Sequence, residues 1–218
     1  MKAHVSTVTA KQLRVLNQLG PILSAQSFYL AGGTALALQH GHRKSVDLDW
    51  FVMQGLDSPL TFAQSLQSQG VAMEITSIDA GTLHGIVNDV RVSFLRYKYP
   101  LLDPLVQWKK YGCALASGRD IACMKLIAIA QRGAKKDFID LYALLTRGNT
   151  TLPRLFEDAR HKFRLRDTGH LLHALTYFVD ADAEPTPKML WKTSWPQIKS
   201  VIKNAVQTFA RDEGLSDL

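Results

Sequence analysis

Between residues 45 and 52 the chain reads SVDLDWFV, two carboxylates one residue apart within an otherwise apolar run. Val46, Leu48 and Trp50 alternate with Asp47, Asp49 and Phe51, the period of two that marks a strand, and this alternation puts both aspartates on one face and an apolar surface on the other. A chain built around this segment must bury one side of the strand and keep the other within reach of positive charge, because adjacent carboxylates repel unless a cation or basic partner offsets them. Positive charge is close in sequence, since His40, His42, Arg43 and Lys44 precede the pair.

The neighbouring segments supply the rest of a sheet. FYLAG predicts a short buried strand that runs into a Gly32-Gly33 turn, with Thr34 as the cap of a helix over ALALQHG. Val8, Leu13, Leu16 and Leu19 recur at helical spacing and predict an amphipathic helix over residues 7–19. Ser58-Pro59 opens a helix over 59–69, and three β-like runs follow, VAMEITSI, TLHGIV and VRVSFLRY, the last two joined by an Asn88-Asp89 turn. GCALAS predicts one more strand, after which Ser117 with Asp120 resembles a capping box that opens a helix through Gln131.

Beyond that point the pattern is helical, strongest in KKDFIDLYALL and continuing over 152–165, 168–179 and 196–210, with DADAEPTPKMLWKTSWP as a loop. The expected class is α+β: a mixed β-sheet with helices over residues 1–116, then a C-terminal helical bundle over 117–218.

Composition narrows the setting. Cys113 and Cys123 form neither a zinc spacing nor a redox pair, so both read as core thiols of a reducing compartment. No run approaches the ~20 apolar residues of a membrane span, and the N-terminus lacks a signal-peptide pattern, so the expected location is cytoplasmic, with no membrane partner. With 26 Lys and Arg against 19 Asp and Glu, the net charge of +7 favours a polyanionic partner.

The chemistry starts from the carboxylate pair. Two side-by-side acids on a strand suit a divalent cation, Mg2+ or Mn2+, bound through hard oxygen ligands. A strand, a Gly-Gly turn and a helix N-terminus just upstream offer backbone N–H groups and a favourable dipole to phosphate oxygens. Each part has an ordinary alternative: Asp47 and Asp49 could pair with Arg43 and Lys44, the glycines could form only a tight turn, and Thr34 could be only a cap. Their occurrence together favours a site for a nucleoside triphosphate and its metal. His40 and His42, on either side of Gly41, read as hydrogen-bonding groups rather than zinc ligands.

A second polar cluster lies in MKLIAIAQRGAKKDFIDLYAL, residues 124–144. Gly133 should end one helix and the next should begin at Ala134 or Lys135, with Phe138, Leu141, Tyr142 and Leu145 as its apolar face. Lys136 and Asp140 stand four apart and can pair, which makes a solvated charged face one reading of this helix. Lys125, set in a strongly apolar helix, either snorkels to water or serves as a point charge for phosphate.

Read as G-G-T, twelve residues and D-L-D, the first motif resembles that of the polymerase-beta-type nucleotidyltransferases. YLAGGTALALQHGHRKSVDLDWF closely resembles the AbiEii/AbiGii-type toxin nucleotidyltransferase family, and Lys125, Arg132, Lys136-Asp137 and Asp140-Leu141 resemble that family's helical motif. The resemblance implies a nucleotidyltransferase-type sheet and transfer of a nucleoside monophosphate from a Mg-bound NTP to an acceptor hydroxyl. It implies Asp47 and Asp49 as catalytic and metal-binding residues, Gly32, Gly33 and Thr34 at the triphosphate, and Lys125 stabilising its tail. Asp140, with Arg132, Lys136 and Asp137, would lie near the nucleotide or acceptor.

It also implies a toxin or phage-defence setting, an RNA acceptor such as a tRNA 3′ end, and a cognate antitoxin. Many enzymes of the broader fold carry a third carboxylate on a later strand, but VRVSFLRY offers Ser93 at its expected core-facing centre, with Asp89 in the turn and Glu74 on another strand. One metal would then suffice, or another acid such as Asp140 would act as base; a degenerate nucleotide- or nucleic-acid-binding module and a DxD-type glycosyltransferase are the alternatives. PRLFEDARHKFRLR, with Arg154, Arg160, Lys162, Arg164 and Arg166, is the candidate RNA-contacting strip.

Overall fold

The computed structural model describes residues 2–148 and 150–214. They form two compact units, Met1–Ser117 and Gly118–Leu218.

The first unit is built on a seven-stranded mixed sheet. Its elements in chain order are α1 (Ala10–Ala25), β1 (Tyr29–Ala31), α2 (Gly32–His40), β2 (Leu48–Val52), α3 (Pro59–Ser68), β3 (Glu74–Asp79), β4 (Thr82–Val87), β5 (Val90–Arg96), β6 (Val106–Trp108) and β7 (Cys113–Leu115). The sheet order is β3-β4-β5-β2-β1-β7-β6. The β1–β2 pair is antiparallel, while β2–β5 and β1–β7 are parallel. Asn88 and Asp89 both adopt positive φ, 49° and 63°, as a two-residue hairpin turn that matches the twist of its strands requires.

One face of this sheet is core. Leu48, Trp50, Leu83, Val87 and Phe94 are fully buried, and the Phe62 ring of α3 meets Phe94 edge-on with centroids 5.0 Å apart. The first helix starts later than its periodicity predicts, at a capping box between Thr9 and Gln12, and its buried stripe runs on to Leu23. Val46, expected in the core, lies before the strand and is 57% exposed. Strand β6 has no signal in the sequence, since its three residues give no detectable alternation, and it forms by pairing with β7.

The second unit is helical: α4 (Gly118–Arg132), α5 (Lys135–Arg147), α6 (Leu152–Phe163), α7 (Gly169–Ala174), α8 (Val179–Ala183) and α9 (Trp195–Asp212). Leu141, Leu144, Leu155, Phe156, Ile198, Ile202 and Val206 fill its core, and Phe156 and Phe209 pack ring to ring at 4.9 Å. The helix expected over 168–179 is broken: α7 ends at Ala174, and α8 occupies the start of the expected loop. Ser194 caps α9 through the Gln197 amide.

The basic strip on α6 is only partly a surface. Lys162 is buried in an ion pair with Asp120 at 2.7 Å, and Arg154 reaches Asp158 at 3.3 Å, whereas Arg160, Arg164 and Arg166 are exposed. Phe156, within the same segment, belongs to the core.

Candidate active site

The first motif assembles where β1 passes into α2. Ala31 pairs with Asp49 across the β1–β2 ladder, so the carboxylate stands beside the first residue of the helix. Gly32 sits there with φ +65°, and a Cβ on it would lie 2.9 Å from Asp49 Oδ2. The glycine serves both the left-handed backbone and the close approach of the acid. Helix α2 begins at Gly32 itself, with Ala31 in the cap position and no side-chain cap bond. Thr34 is therefore not the cap that its sequence position suggests. Buried in the first turn, it donates to the backbone carbonyl of Asp47, with the Ser45 hydroxyl 2.8 Å away.

Gly32 and Gly33 are half-exposed at the start of this helix, where backbone N–H groups have no partner within the helix. Asp49 on β2 and Asp47 just before it are half-buried and alternate with the buried Leu48 and Trp50. Asp47 does not pair with Lys44, which instead donates to the Ser6 carbonyl; Oδ1 of Asp47 accepts from Arg91 Nε at 2.7 Å. The Arg91 side chain is 71% exposed. An exposed pair of this kind contributes only about 0–1 kcal/mol, so the carboxylate can exchange Arg91 for a cation at small cost.

The acids and their surroundings fit a magnesium ion carried by a substrate. Both ligands are hard oxygens, and the absence of a side chain at Gly32 lets the Asp49 carboxylate lie against the start of the helix. Among the described residues no group of three or more His, Cys, Asp or Glu side chains could hold a metal. One or two carboxylates are the protein share typical of Mg2+ sites, which complete their shell with substrate phosphates and water.

The second motif forms a buried charge cluster between α4 and α5. Lys125 Nζ lies 2.7 Å from Asp137 Oδ1 and 2.6 Å from Asp140 Oδ2, and both carboxylates are fully buried. Arg132 adds a bond from Nε to Asp137 Oδ2 at 2.7 Å from the exposed side. Burial opposes ionisation of Asp137, but Lys125 and Arg132 outweigh it and hold the carboxyl below the usual carboxylate range.

Two sequence expectations change here. Asp140 meets Lys125 rather than Lys136, which is exposed, and the α5 acids lie in the interior rather than on a solvated face. Periodicity allowed the helical neighbour, and a partner from the preceding helix took its place. Ser93 changes as well: it shares the face of Asp49, its register partner, and Val92 and Phe94 are the core-facing residues. Sequence reading also missed Arg91, whose link to Asp47 follows from the parallel pairing of β2 with β5, and His84, whose Nδ1 lies 3.1 Å from Ser93 Oγ.

A mixed sheet with two strand carboxylates beside a glycine-led helix, followed by helices, is the architecture of a nucleotidyltransferase. The same fold occurs in MenT4, a nucleotidyltransferase toxin of Mycobacterium tuberculosis H37Rv, with a TM-score of 0.60 at 16% identity over 94% of this chain and 83% of that one. It also occurs in a candidate nucleotidyltransferase from H. pylori, with a TM-score of 0.57 at 17% identity over 95% and 96% of the two chains.

Residues 14–100 and 63–211 match the family model of the nucleotidyl transferase AbiEii toxin of type IV toxin-antitoxin systems, and the chain belongs to that family. An uncharacterized protein of Aquifex aeolicus (strain VF5) is 34% identical over 201 residues, 91% of this chain and 96% of its own. Membership of this family sets aside the glycosyltransferase alternative.

Proposed function

We propose that the protein transfers a nucleoside monophosphate from a Mg-bound NTP to a hydroxyl of an RNA acceptor, as the toxin of a pair with a cognate antitoxin. The observation that carries this reading is the arrangement at Gly32: a glycine turn, an uncapped helix start and the Asp49 carboxylate within one residue's width. Asp47 and Asp49 would hold Mg2+, which when bound neutralises triphosphate charge and aligns the attacking and leaving oxygens. The amides at Gly32 and Gly33 donate to the triphosphate. Thr34 fixes the backbone of Asp47 from behind, so it acts on the acid rather than on the nucleotide.

Lys125 and Asp140, with Arg132, Lys136 and Asp137, enter this reading through the family motif. Their support in this chain is a lysine and two aspartates buried together, an arrangement that concentrates at functional sites. For the acceptor, the support is the net charge of +7 and the exposed Arg160, Arg164 and Arg166; a tRNA 3′ end is the form that the family resemblance implies. Among the described residues no helix is long and apolar enough to cross a membrane.

The test is incubation with each radiolabelled NTP, Mg2+ and total RNA or total protein. Label should enter RNA, and the preferred base is read from the same experiment. Asp47→Asn should retain the fold and lose transfer by more than the roughly 10- to 100-fold that removal of a metal site's supporting residue costs. Equal transfer by that variant removes the metal assignment.

A further inference from the structure

Asp49 on β2, with Asp47 just before it, forms only one part of a polar face that continues across the sheet. The register sets Ser93 of β5 directly beside Asp49, and His84 of β4 directly beside Ser93. Paired residues of adjacent strands project to the same face, and the two side chains meet, with His84 Nδ1 3.1 Å from Ser93 Oγ. Both are half-buried, on the face opposite the buried Leu83, Val92 and Phe94. Neighbouring strands lie about 4.8 Å apart, so the hydroxyl stands one strand spacing from the acid and the imidazole just beyond it. A hydroxyl nucleophile must lose a proton as it attacks, and this row holds a group able to take one.

We infer that Ser93 receives the attacking acceptor hydroxyl and that His84, a positioning residue acting through Ser93, takes up its proton. The inference rests on the nucleotidyl-transfer reading of Asp47 and Asp49. As the acceptor oxygen bonds to the α-phosphorus, its proton passes to Ser93 Oγ and the Ser93 hydrogen passes to His84 Nδ1. The bond from the α-phosphorus to the bridging oxygen breaks, and pyrophosphate leaves with the electron pair. The charged groups that share this face on the surrounding strands are Asp49 of β2, Arg91 of β5 with its partner Asp47 just before β2, and Glu74 and Asp79 of β3.

The experiment compares the full-length wild-type protein with His84→Gln and Ser93→Ala, using labelled NTP, Mg2+ and total RNA across a pH series. Glutamine keeps a hydrogen-bonding side chain but accepts no proton. His84→Gln should lower kcat about 10²- to 10⁴-fold, flatten the acidic limb of the kcat profile, and leave the KM for NTP and the melting temperature unchanged. Ser93→Ala should flatten the same limb.

Wild-type kcat with an intact acidic limb in His84→Gln would overturn the inference, as would a loss confined to stability or to the KM for NTP. Absence of NTP-dependent labelling by the wild-type protein would overturn this inference together with the reading beneath it. Labelling that Asp47→Asn abolishes and His84→Gln spares would overturn this inference alone.

Discussion

Gly32 is the residue at which backbone conformation and acid placement cannot be separated. An alanine there meets two obstacles: the φ of +65° costs an L-residue about 1–2 kcal/mol, and its Cβ would stand 2.9 Å from Asp49 Oδ2. That oxygen is the mobile end of a side chain, so the contact is relieved by turning the carboxylate rather than by moving the sheet. Gly32→Ala should therefore lower the free energy of unfolding in urea by about 1–2 kcal/mol and lower nucleotidyl transfer by a larger factor than that loss explains. Wild-type turnover in a folded Gly32→Ala protein would show that the observed placement of Asp49 is not required. Thr34 teaches the converse lesson, because its type and position fit a cap and its bond goes to the Asp47 carbonyl.

The pair α4–α5 joins two elements through buried charge rather than through apolar contact alone. Asp137→Asn would take the carboxylate charge at that position away from both Lys125 and Arg132. Removing one member of a buried ion pair costs about 3–5 kcal/mol, and a chemical-denaturation midpoint should fall accordingly. The cluster also fixes a pH dependence. Folding holds the Asp137 carboxyl below its ordinary value of 3.8, so its contribution is complete above that value and is lost as pH falls through the lower folded one. Asp137→Asn should remove that component of acid unfolding, and an unchanged acid transition would show that another group controls it.

The sequence makes some elements legible and hides others for one reason. Strand β2, the β4–β5 hairpin and the α4–α5 break at Gly133 are written in local patterns, namely alternation, a two-residue turn and a left-handed cap. Lys125 with Asp140, Arg91 with Asp47 and His84 with Ser93 are set by helix packing or strand register between distant segments, which periodicity within one segment does not encode.

At the scale of the whole chain, the net charge of +7 becomes a statement about binding only where the basic side chains are free to meet phosphate. Lys162 is neutralised inside the helical unit, so it releases no counterion on meeting RNA. Arg160, Arg164 and Arg166 are exposed at and beyond the end of α6, and Arg160 donates from Nη2 to Thr168 Oγ1 at 3.1 Å, a neutral partner that does not cancel its charge. For single strands the slope of log K against log salt is about −0.7 per phosphate neutralised. If each of these arginines covers one phosphate, replacing all three with glutamine should make the slope shallower by roughly 2, while Lys162→Gln should leave the slope unchanged and lower stability instead. Fluorescence anisotropy with a labelled single-stranded RNA over a salt series measures both. An unchanged slope in the triple variant would place the RNA contact elsewhere on the basic surface, whereas a slope lost with Lys162 would mean that the buried pair opens when RNA binds.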